Sequence, residues 1–499
     1  MLDAQKRLST GFLVLLGLPT AAVGFALSSS IAATSWLLST RYNLHLDNIA
    51  LIWLMGPLMG LLVQPIVGAL SDRTWFMKGR RRPYLLAGGV AGAASTYAML
   101  GLDTLASATG LSLLTVAVLA ALVADLSTNV TFNPARSLVA DLTPEGPARV
   151  RGYAWMQTIS GLLGISAYLI SIFFGNLVLV QVTVVVFLVL TLLPTLFIEE
   201  SPLAAMATAV ASRPTGAGGR ADGPVAFRAL WPMVGFLLYG VYAALDKLVF
   251  NDALSAWAVP LFGATLLLTL LWGAHIVWQG RRRPTGPGRL RTMLLAHGLA
   301  WLGVQAMFVM GFFYVRDVVV PAAGGAVLAD GLYRLANAGT AHLPGTAADT
   351  AGRILSMGFL LLNLVGALLP VLVLKPLCQR WGQVRVHRAA MGLMAAAYAF
   401  IVLAPANEAC FYLGMLLCGI GWSSLISIVF AIYSEAVDAR DMGVSMGVFN
   451  SSLVLPALAV PGLLKLSEAL DHHRWVFALF AVCLALSWAF WCAVPERQD

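Results

Sequence analysis

Residues 111–142 read LSLLTVAVLAALVADLSTNVTFNPARSLVADL, an apolar stretch long enough to cross a bilayer as one helix. It contains an acid and a base, Asp125 and Arg136, and two amides, Asn129 and Asn133, lie between them. The two charges are eleven residues apart, and eleven residues at about 100° each turn through roughly three full turns. These four polar side chains are therefore predicted to form one stripe along the helix, about 16 Å from end to end.

A charge in the middle of a bilayer costs about 3 kcal/mol or more, and it persists mainly where it faces a partner or a water-filled path. Two interpretations of the stripe are open at this point. The polar side chains could form a seam that joins neighbouring helices, or they could line a pathway for protons and a solute.

The composition is that of a membrane protein. Hydrophobic residues make up 59% of the chain and charged residues 11%, and the mean hydropathy is +0.83. The net charge of +8 is concentrated between the apolar stretches, so we interpret it as a determinant of topology and not as a nucleic-acid surface. The five cysteines have no metal-ligand spacing and are interpreted as small core residues. They are Cys378, Cys410, Cys418, Cys483 and Cys492.

Fourteen apolar stretches are candidate membrane spans, and they predict an all-α integral membrane protein. The first set lies at 12–39, 48–71, 84–102, 111–141, 153–175 and 177–198. A central pair lies at 230–250 and 257–279, and a second set at 292–316, 354–377, 387–405, 408–435, 442–465 and 475–494. The first stretch continues too far for a signal peptide, so it is predicted to be an uncleaved span.

This pattern predicts an N-terminal six-helix half at 1–200 and a C-terminal six-helix half at 281–499. Between them lie a flexible cytoplasmic linker at 201–229, which is rich in Ala, Gly, Pro and Thr, and a two-helix insert at 230–280. The stretch 318–350 is longer than a typical loop, and we expect it to form an external cap.

Basic residues in short loops predict the sidedness of the chain. They cluster at 73–82, 149–151, 281–291 and 380–388, which all fall in the cytoplasm if both termini are cytoplasmic. The outer loops carry few basic residues, among them Lys247 and Lys465. Two crossings cancel, so the rule leaves open whether the central pair crosses the membrane or lies on its surface as a hairpin.

The loop after the second span carries a motif. Residues 68–73 read GALSDR and residues 79–83 read GRRRP, and residues 377–385 of the second set, LCQRWGQVR, are a weaker version. A Gly-x-x-x-Asp-Arg run followed by Gly-Arg-Arg resembles the signature of the major facilitator superfamily, whose members have two related six-helix halves. The resemblance implies that fold for this chain, with the central pair as an addition.

In that superfamily the aspartate of this loop pairs with loop arginines and a helix end, and it holds the cytoplasmic side shut. The resemblance implies such a latch between Asp72 and Arg80 or Arg81. Asp141 and Arg151, at the next cytoplasmic loop, are expected to belong to the same latch.

Four regions resemble sucrose/proton symporters and their bacterial relatives in the glycoside–pentoside–hexuronide:cation symporter group. They are IWLMGPLMGLLVQPIVG at 52–68, NVTFNPARSLVADL at 129–142, Trp301 with residues 314–317, and GIGWSS at 419–424 with MGVSMGVFN at 442–450. The resemblance implies a bacterial carrier that imports a disaccharide, preferably sucrose, with a proton by alternating access. Maltose or another glycoside is the alternative substrate.

Asp125 matches the membrane-embedded carboxylate that this group is thought to use for proton binding and sugar contact. Arg136 is the accompanying cation. Burial and a nearby cation act in opposite directions on a carboxyl group, so a moving arginine could switch its protonation. Asp317 is expected to be either an interfacial ion pair or part of a solute gate, and Glu435 a gate or a helix cap.

A sugar needs paired polar contacts and an aromatic face, because one face of its ring is lined with C–H groups. Polar and aromatic side chains within the spans are therefore candidate ligands, although each could instead form a hydrogen bond between helices. The candidates are Gln64, Asn129, Asn133, Gln157, Gln305, Tyr314, Asn363, Trp422, Ser423 and Asn450. Trp422 is the best candidate for stacking against the ring.

No nucleophile–base set, phosphate loop or metal cluster is recognisable, so we predict a transporter and not an enzyme, with no cofactor and no metal. The expected partners are a small sugar, protons and the lipid bilayer, with no nucleic acid and with the monomer as the functional form. The expected location is the bacterial inner (plasma) membrane. The rival interpretations are a non-transporting membrane sensor and a lipid-handling protein.

Overall fold

The structure is a computed structural model. It describes residues 7–73, 75–77, 79–144, 147–200, 228–282, 287–322, 327–337, 346–436, 442–470 and 472–496. Within these ranges the regular structure is helical, apart from one isolated bridge between Phe76 and Gly79. Most of the predicted linker at 201–229 and parts of the predicted cap at 318–350 lie outside the described residues.

The described residues of the first half of the chain form seven helices. They are α1 (Thr10–Thr40), α2 (Leu46–Arg73), α3 (Arg82–Ala98), α4 (Leu102–Thr109), α5 (Leu113–Leu142), α6 (Pro147–Phe174) and α7 (Asn176–Phe197). The predicted span at 84–102 corresponds to α3, which ends at Ala98, and α4 follows at an angle of 91° to it.

Besides shorter segments that include Lys375–Trp381 and Ile428–Ala436, the described residues of the remainder form ten principal helices. They are α8 (Val234–Leu248), α9 (Ala258–Arg282), α10 (Pro287–Tyr314), α11 (Leu328–Ala336), α12 (Ala347–Leu369), α13 (Gln383–Leu403), α14 (Glu408–Ile426), α15 (Met442–Ala457), α16 (Val460–Ala469) and α17 (Val476–Cys492). Two helices continue through π-helical turns, α10 through Val315–Val319 and α12 through Pro370–Leu374. Single-turn π segments are frequent at functional sites.

Twelve of the described helical stretches are long and apolar enough to cross a membrane, or thirteen if α3 and α4 are counted as one bent span. In addition, α2 is 28 residues long, although several of its side chains lie outside the described residues. The prediction of an all-α membrane fold is confirmed.

The helices divide into two compact units. Unit 1 comprises 1–44, 58–218 and 336–339, and unit 2 comprises 45–57, 219–335 and 340–499. The division falls within α2, so the first residues of this helix belong to unit 2 and its later residues to unit 1.

Small residues let the helices of unit 1 approach closely. Gly88 on α3 lies against α5, where an added Cβ would come within 2.9 Å of the Ser127 carbonyl oxygen. On the same helix, an added Cβ at Gly92 would overlap the ring of Phe187 on α7. Close backbone approach through small residues is the usual basis of helix packing in membranes, where lipid is as apolar as the side chains.

In unit 2 the helices α8 and α9 form a hairpin whose turn is well defined. The backbone N–H of Asp252 donates to the Asp246 carbonyl at 3.0 Å, and that of Phe250 to the Leu245 carbonyl at 3.1 Å. Asn251 and Asp252 adopt positive φ angles of 48° and 66°, a conformation that these two residue types tolerate.

The hairpin packs tightly on the rest of unit 2. At Gly240 on α8, an added Cβ would lie 2.7 Å from the Cβ of Leu458 and 3.0 Å from its carbonyl oxygen. At Gly263 on α9, by contrast, no heavy atom lies within 4 Å of an added Cβ. The hairpin therefore packs against the rest of unit 2 at Gly240, whereas at Gly263 there is space for a larger side chain.

These two glycines provide a matched test of hairpin docking. Gly240→Leu has to displace the Leu458 backbone, and overpacking of this kind costs about 1–3 kcal/mol. We expect a lower midpoint of thermal denaturation in detergent, measured at a fixed scan rate, for Gly240→Leu and little change for Gly263→Leu. Equal midpoints for the two variants would show that the hairpin is not docked as described.

Candidate functional site

The stripe predicted from residues 111–142 lies on a single helix of unit 1. α5 begins after Ser112, whose side chain accepts the Thr115 backbone N–H at 3.1 Å, and it continues through Pro134 to Leu142. Asp125 is partly buried, and Arg136 is exposed at the helix surface. The predicted continuity of this helix is thus observed, and both charges lie well inside its ends.

Within the described residues, no ion pair joins Asp125 to Arg136. The Arg136 guanidinium lies over the ring of Phe132, 4.1 Å from its centroid, which is a cation–π arrangement. Tyr153 donates to the Arg136 carbonyl at 3.2 Å, and Asn129 donates to the Asp125 carbonyl at 2.8 Å. In the part of the chain that the structure describes, no side chain donates a hydrogen bond to the Asp125 carboxylate.

A group of charges surrounds the loop that carries the GRRRP motif. Arg80 Nη2 and Arg81 Nε both bond to Oδ2 of Asp141, at 2.8 Å and 3.1 Å, and Arg81 also donates to the Ser71 hydroxyl. Arg151 instead donates to the Leu8 carbonyl at 2.6 Å. The structure thus brings together Arg80, Arg81 and Asp141 of the predicted latch and places Arg151 on another partner.

The side chains of three predicted residues lie outside the described part of the structure. They are Gln64, Asp72 and Glu435. The predicted pairing of Asp72 with the arginines therefore stays a prediction.

Glu200 was not singled out from the sequence, although it organises this loop. Its carboxylate accepts the backbone N–H groups of Arg80, Arg81 and Arg82 at 2.8, 2.9 and 2.9 Å. These groups lie at the start of α3, where the first N–H groups of a helix have no partner within it. A carboxylate at this position satisfies them and also interacts favourably with the helix dipole.

In unit 2 a second glutamate accepts backbone N–H groups at the start of a helix. Glu496, just beyond α17, accepts the backbone N–H groups of Val384 and Arg385 at 3.1 Å each, at the start of α13. Gly382 precedes them with φ of 88°, and an added Cβ there would overlap the Glu496 carboxylate. The sequence signal was present, because each six-helix set is followed by a glutamate at the end of its last helix.

Several predicted sugar ligands of unit 2 bond to backbone carbonyls. Gln305 donates to Leu453 at 2.9 Å, and Tyr314 to Ile401 at 2.9 Å. Asn363 donates to Phe359 one turn earlier on its own helix, at 2.9 Å. Tyr314 is buried and joins two helices through this bond, whereas Gln305 and Asn363 are only partly buried.

The other predicted ligands differ in exposure. Ser423 is buried, and its hydroxyl has no hydrogen-bond partner within the described residues. Gln157 and Asn450 are exposed. Asn133 on α5 is partly buried.

Trp422 lies in an aromatic group that spacing alone could have identified. Its ring is nearly perpendicular to those of Trp301 and Phe308, with centroids 5.7 Å and 6.1 Å away. Trp301, Gln305 and Phe308 recur at i, i+4 and i+7 on α10, so they share one helix face. All four side chains are partly buried, and Gly366 provides room for the indole, since a Cβ there would lie 2.8 Å from Trp422 Cδ1.

Asp317 lies in the π-helical turn that follows α10. It accepts from Arg316 Nε at 2.6 Å and from His473 Nδ1 at 2.5 Å. Both partners are cationic or can become so, and the Arg316 guanidinium in turn lies 4.9 Å from the centroid of the Phe313 ring. Asp317 thus takes part in an ion pair, and both its role at the membrane interface and its role in a solute gate stay predictions.

Comparison with known proteins gives a partial family match. The model of the BT1 family matches residues 23–247, slightly less than half of the chain. The matched residues include most of unit 1 and nearly all of α8, the first helix of the central hairpin.

Three curated relatives illustrate the similarity. The sucrose transport protein SUT2 of Oryza sativa subsp. japonica is 38% identical over 114 residues, and SUC4 of Arabidopsis thaliana is 36% identical over 126 residues. The general alpha-glucoside permease of Schizosaccharomyces pombe is 30% identical over 175 residues. The matches cover 20%, 23% and 32% of this chain and only 23%, 25% and 31% of the relatives. These relatives come from plants and a yeast and give no support to the predicted bacterial origin.

Solved structures match over nearly the whole chain. The nucleoside transporter NupG gives a TM-score of 0.63 at 10% identity, covering 97% of this chain and 100% of that one. The xylose transporter XylE from E. coli, in its inward open conformation, gives 0.57 at 12% identity, covering 98% and 97%. At these identities the similarity concerns the fold, and the chain is a multi-pass membrane protein with the fold of the major facilitator transporters.

Proposed function

We propose that this protein is a secondary transporter that moves a disaccharide together with a proton by alternating access. The observation that carries the proposal is the Asp125 carboxylate, which lies within an apolar span without a hydrogen-bond donor among the described residues. The partial matches to sucrose transport proteins and an alpha-glucoside permease support a sugar as the solute. Sucrose is the preferred substrate, and maltose or another glycoside is the alternative.

Asp125 is the proposed coupling acid. An ionisable side chain inside a membrane span is costly and is retained mainly where it serves transport or proton transfer. A carboxylate already held by an arginine would have little reason to take up a proton. Arg136 instead lies over Phe132, so Asp125 is available to a proton, to water or to a sugar hydroxyl.

The aromatic group on α10 and α14 is the proposed stacking surface for the sugar ring. Trp301, Phe308 and Trp422 lie around Gln305, whose amide oxygen is available because its nitrogen donates to a carbonyl. Aromatic faces suit the C–H side of a sugar, and a few polar groups fix its orientation. Within unit 2, this combination supports the proposal better than the buried Tyr314 does.

On the cytoplasmic side, Arg80, Arg81, Asp141 and Glu200 form the proposed inner latch. Charge-assisted hydrogen bonds join the two arginines to Asp141 and the start of α3 to Glu200. They can break and reform because separated charges regain water. The membrane is proposed to be the plasma membrane, with both termini in the cytoplasm.

Uptake into proteoliposomes tests the coupling acid. A gradient of one pH unit is worth about 1.4 kcal/mol, so one-to-one symport can accumulate sugar up to about tenfold. We expect this stimulation of labelled sucrose uptake for the wild type and for Asp103→Asn, an exposed acid on α4, but not for Asp125→Asn. Asp125→Asn should still exchange sugar in counterflow, because exchange needs no net proton movement.

Two results would contradict the proposal. Stimulation that persists in Asp125→Asn removes this residue from coupling. A wild type that transports neither sucrose nor maltose removes disaccharides as the solute.

The inner latch can be tested through stability. Glu200→Ala leaves three helix N–H groups without their acceptor, a loss of about 1–3 kcal/mol. We expect a clearly lower thermal midpoint in detergent for Glu200→Ala and a smaller decrease for Glu200→Gln, which keeps one acceptor. Asp103→Ala is the control for loss of an exposed acid, and a midpoint that falls equally in this variant would exclude a specific role for Glu200.

Thiol labelling tests the topology of the central hairpin. Ser255 lies exposed between α8 and α9, and Cys492 lies exposed at the end of α17. In intact cells, a membrane-impermeant maleimide should label Ser255→Cys and spare Cys492, and in inside-out vesicles the pattern should reverse. Labelling of both thiols only from the cytoplasmic side would mean that the hairpin lies on the surface and does not cross.

A further inference from the structure

Charged side chains from three separate elements of unit 2 meet at one place. Lys465 on α16 bonds to the carboxylate of Asp47 in the first turn of α2, and also to Glu468 at 3.1 Å. Lys247, at the end of α8, bonds to Asp252 of the hairpin turn at 2.8 Å and lies 3.9 Å from the same Asp47 oxygen. Asp47 is thus shared by two lysines, one from the central hairpin and one from α16.

The environment strengthens these pairs. The side chains of Asp47, Lys247 and Lys465 are only 22%, 16% and 27% exposed. Oδ1 of Asp47 is buried without a hydrogen-bond partner within the described residues, so this carboxylate depends on the two lysines that approach its other oxygen. Ion pairs that are partly withdrawn from water interact more strongly than fully exposed ones, and removing one partner leaves the other uncompensated.

The hairpin turn is constructed so that it presents Lys247 to Asp47. Asp246 is buried, and its Oδ1 accepts the Leu254 backbone N–H at 2.8 Å. Tyr242 donates its hydroxyl to the Leu254 carbonyl at 2.7 Å. These two bonds close the turn from both sides, which restricts the position of Lys247 relative to α2.

The cluster lies at the beginning of α2, a helix whose residues are divided between the two units. Residues 45–57 of this region belong to unit 2, and from Leu58 onward the helix belongs to unit 1. The charged side chains contact the beginning of α2. This end of the helix is predicted to face outward, and Lys247 and Lys465 are predicted to lie on the same side. A small cavity lies beside them, lined by Leu51, Tyr239 and Asp246 among others.

We propose that Asp47, Lys247 and Lys465 form an outer latch, and that the central hairpin serves to complete it. The latch is closed in this structure, and separation of Asp47 from both lysines accompanies opening of the outer side. An ionic contact suits this purpose because the separated charges are rehydrated, which keeps the open and closed forms close in free energy. The inference rests on the proposed transport function and adds a role for the two additional helices.

Accessibility of a thiol next to the latch provides the test. Leu51 is buried, lies one turn after Asp47 on α2 and lines the cavity. In purified full-length protein carrying Leu51→Cys, the rate of modification by a charged maleimide is followed by peptide-resolved mass spectrometry. The native Cys418, which is buried, and Cys492, which is exposed, serve as internal references in the same sample.

We expect slow modification of the Leu51→Cys thiol in the otherwise unchanged protein. Adding Lys465→Gln should raise the rate by about tenfold, since removal of one partner of a partly buried pair shifts an opening equilibrium by about that factor. Lys247→Gln should raise it by a smaller factor, because Lys247 lies farther from Asp47. Arg334→Gln, which removes an exposed basic residue of α11, should leave the rate unchanged.

Crosslinking gives a second measurement with an internal control, because the same variant is compared in its crosslinked and reduced forms. In the variant with Asp47→Cys and Lys465→Cys, a short bifunctional methanethiosulfonate should join the two thiols and stop sugar counterflow, and a reductant, which cleaves the mixed disulfides, should restore it. Unchanged Leu51→Cys modification in both lysine variants, or full counterflow in the crosslinked protein, would overturn the latch. Faster modification in a protein that transports no disaccharide would overturn the proposed function and leave the latch intact.

Discussion

Hydrocarbon provides neither hydrogen-bond donors nor acceptors, and this constraint determines where each polar group of the chain can lie. Backbone groups inside a helix bond to one another, whereas the first N–H groups, at the beginning of a helix, need a partner from outside it. Two of these beginnings, at α3 and α13, are satisfied by carboxylates from distant parts of the chain, Glu200 and Glu496. Each glutamate thereby ties the end of one helix to the beginning of another.

The sequence predicted those features that depend on local periodicity. The continuity of α5 through Pro134 and the position of Asp125 and Arg136 well inside it follow from composition and helical geometry, and the structure agrees. The bend between α3 and α4 was not predicted, because the apolar stretch continues past Ala98 and hydropathy does not record direction. A helix is predictable from its own residues, whereas a bend between two helices depends on what the chain packs against.

The bonding partner of each polar side chain was the feature that the sequence predicted least well. The sequence placed Arg80 and Arg81 in a latch, but it did not identify Glu200 as the acceptor of their backbone N–H groups, which lies well over one hundred residues away. It also did not indicate that Arg136 would lie over Phe132. Similarly, amides and hydroxyls within spans were candidate ligands by type alone, and the structure shows that Tyr314 bonds to the backbone of another helix. The partial burial of Trp422, Trp301 and Phe308 distinguishes the proposed stacking surface from the buried Tyr314.

The bend after Ala98 has a consequence for the surrounding lipid. α3 has 17 residues, which at the rise of an α-helix is about 26 Å, whereas the hydrocarbon core of a typical bilayer is about 30 Å thick. A span shorter than the bilayer is accommodated when the lipid beside it becomes thinner, at a cost of a fraction of a kcal/mol for each ångström of mismatch. Acyl-chain length thus enters the energetics of this protein next to α3, and membranes of different thickness favour different arrangements of the helices around it.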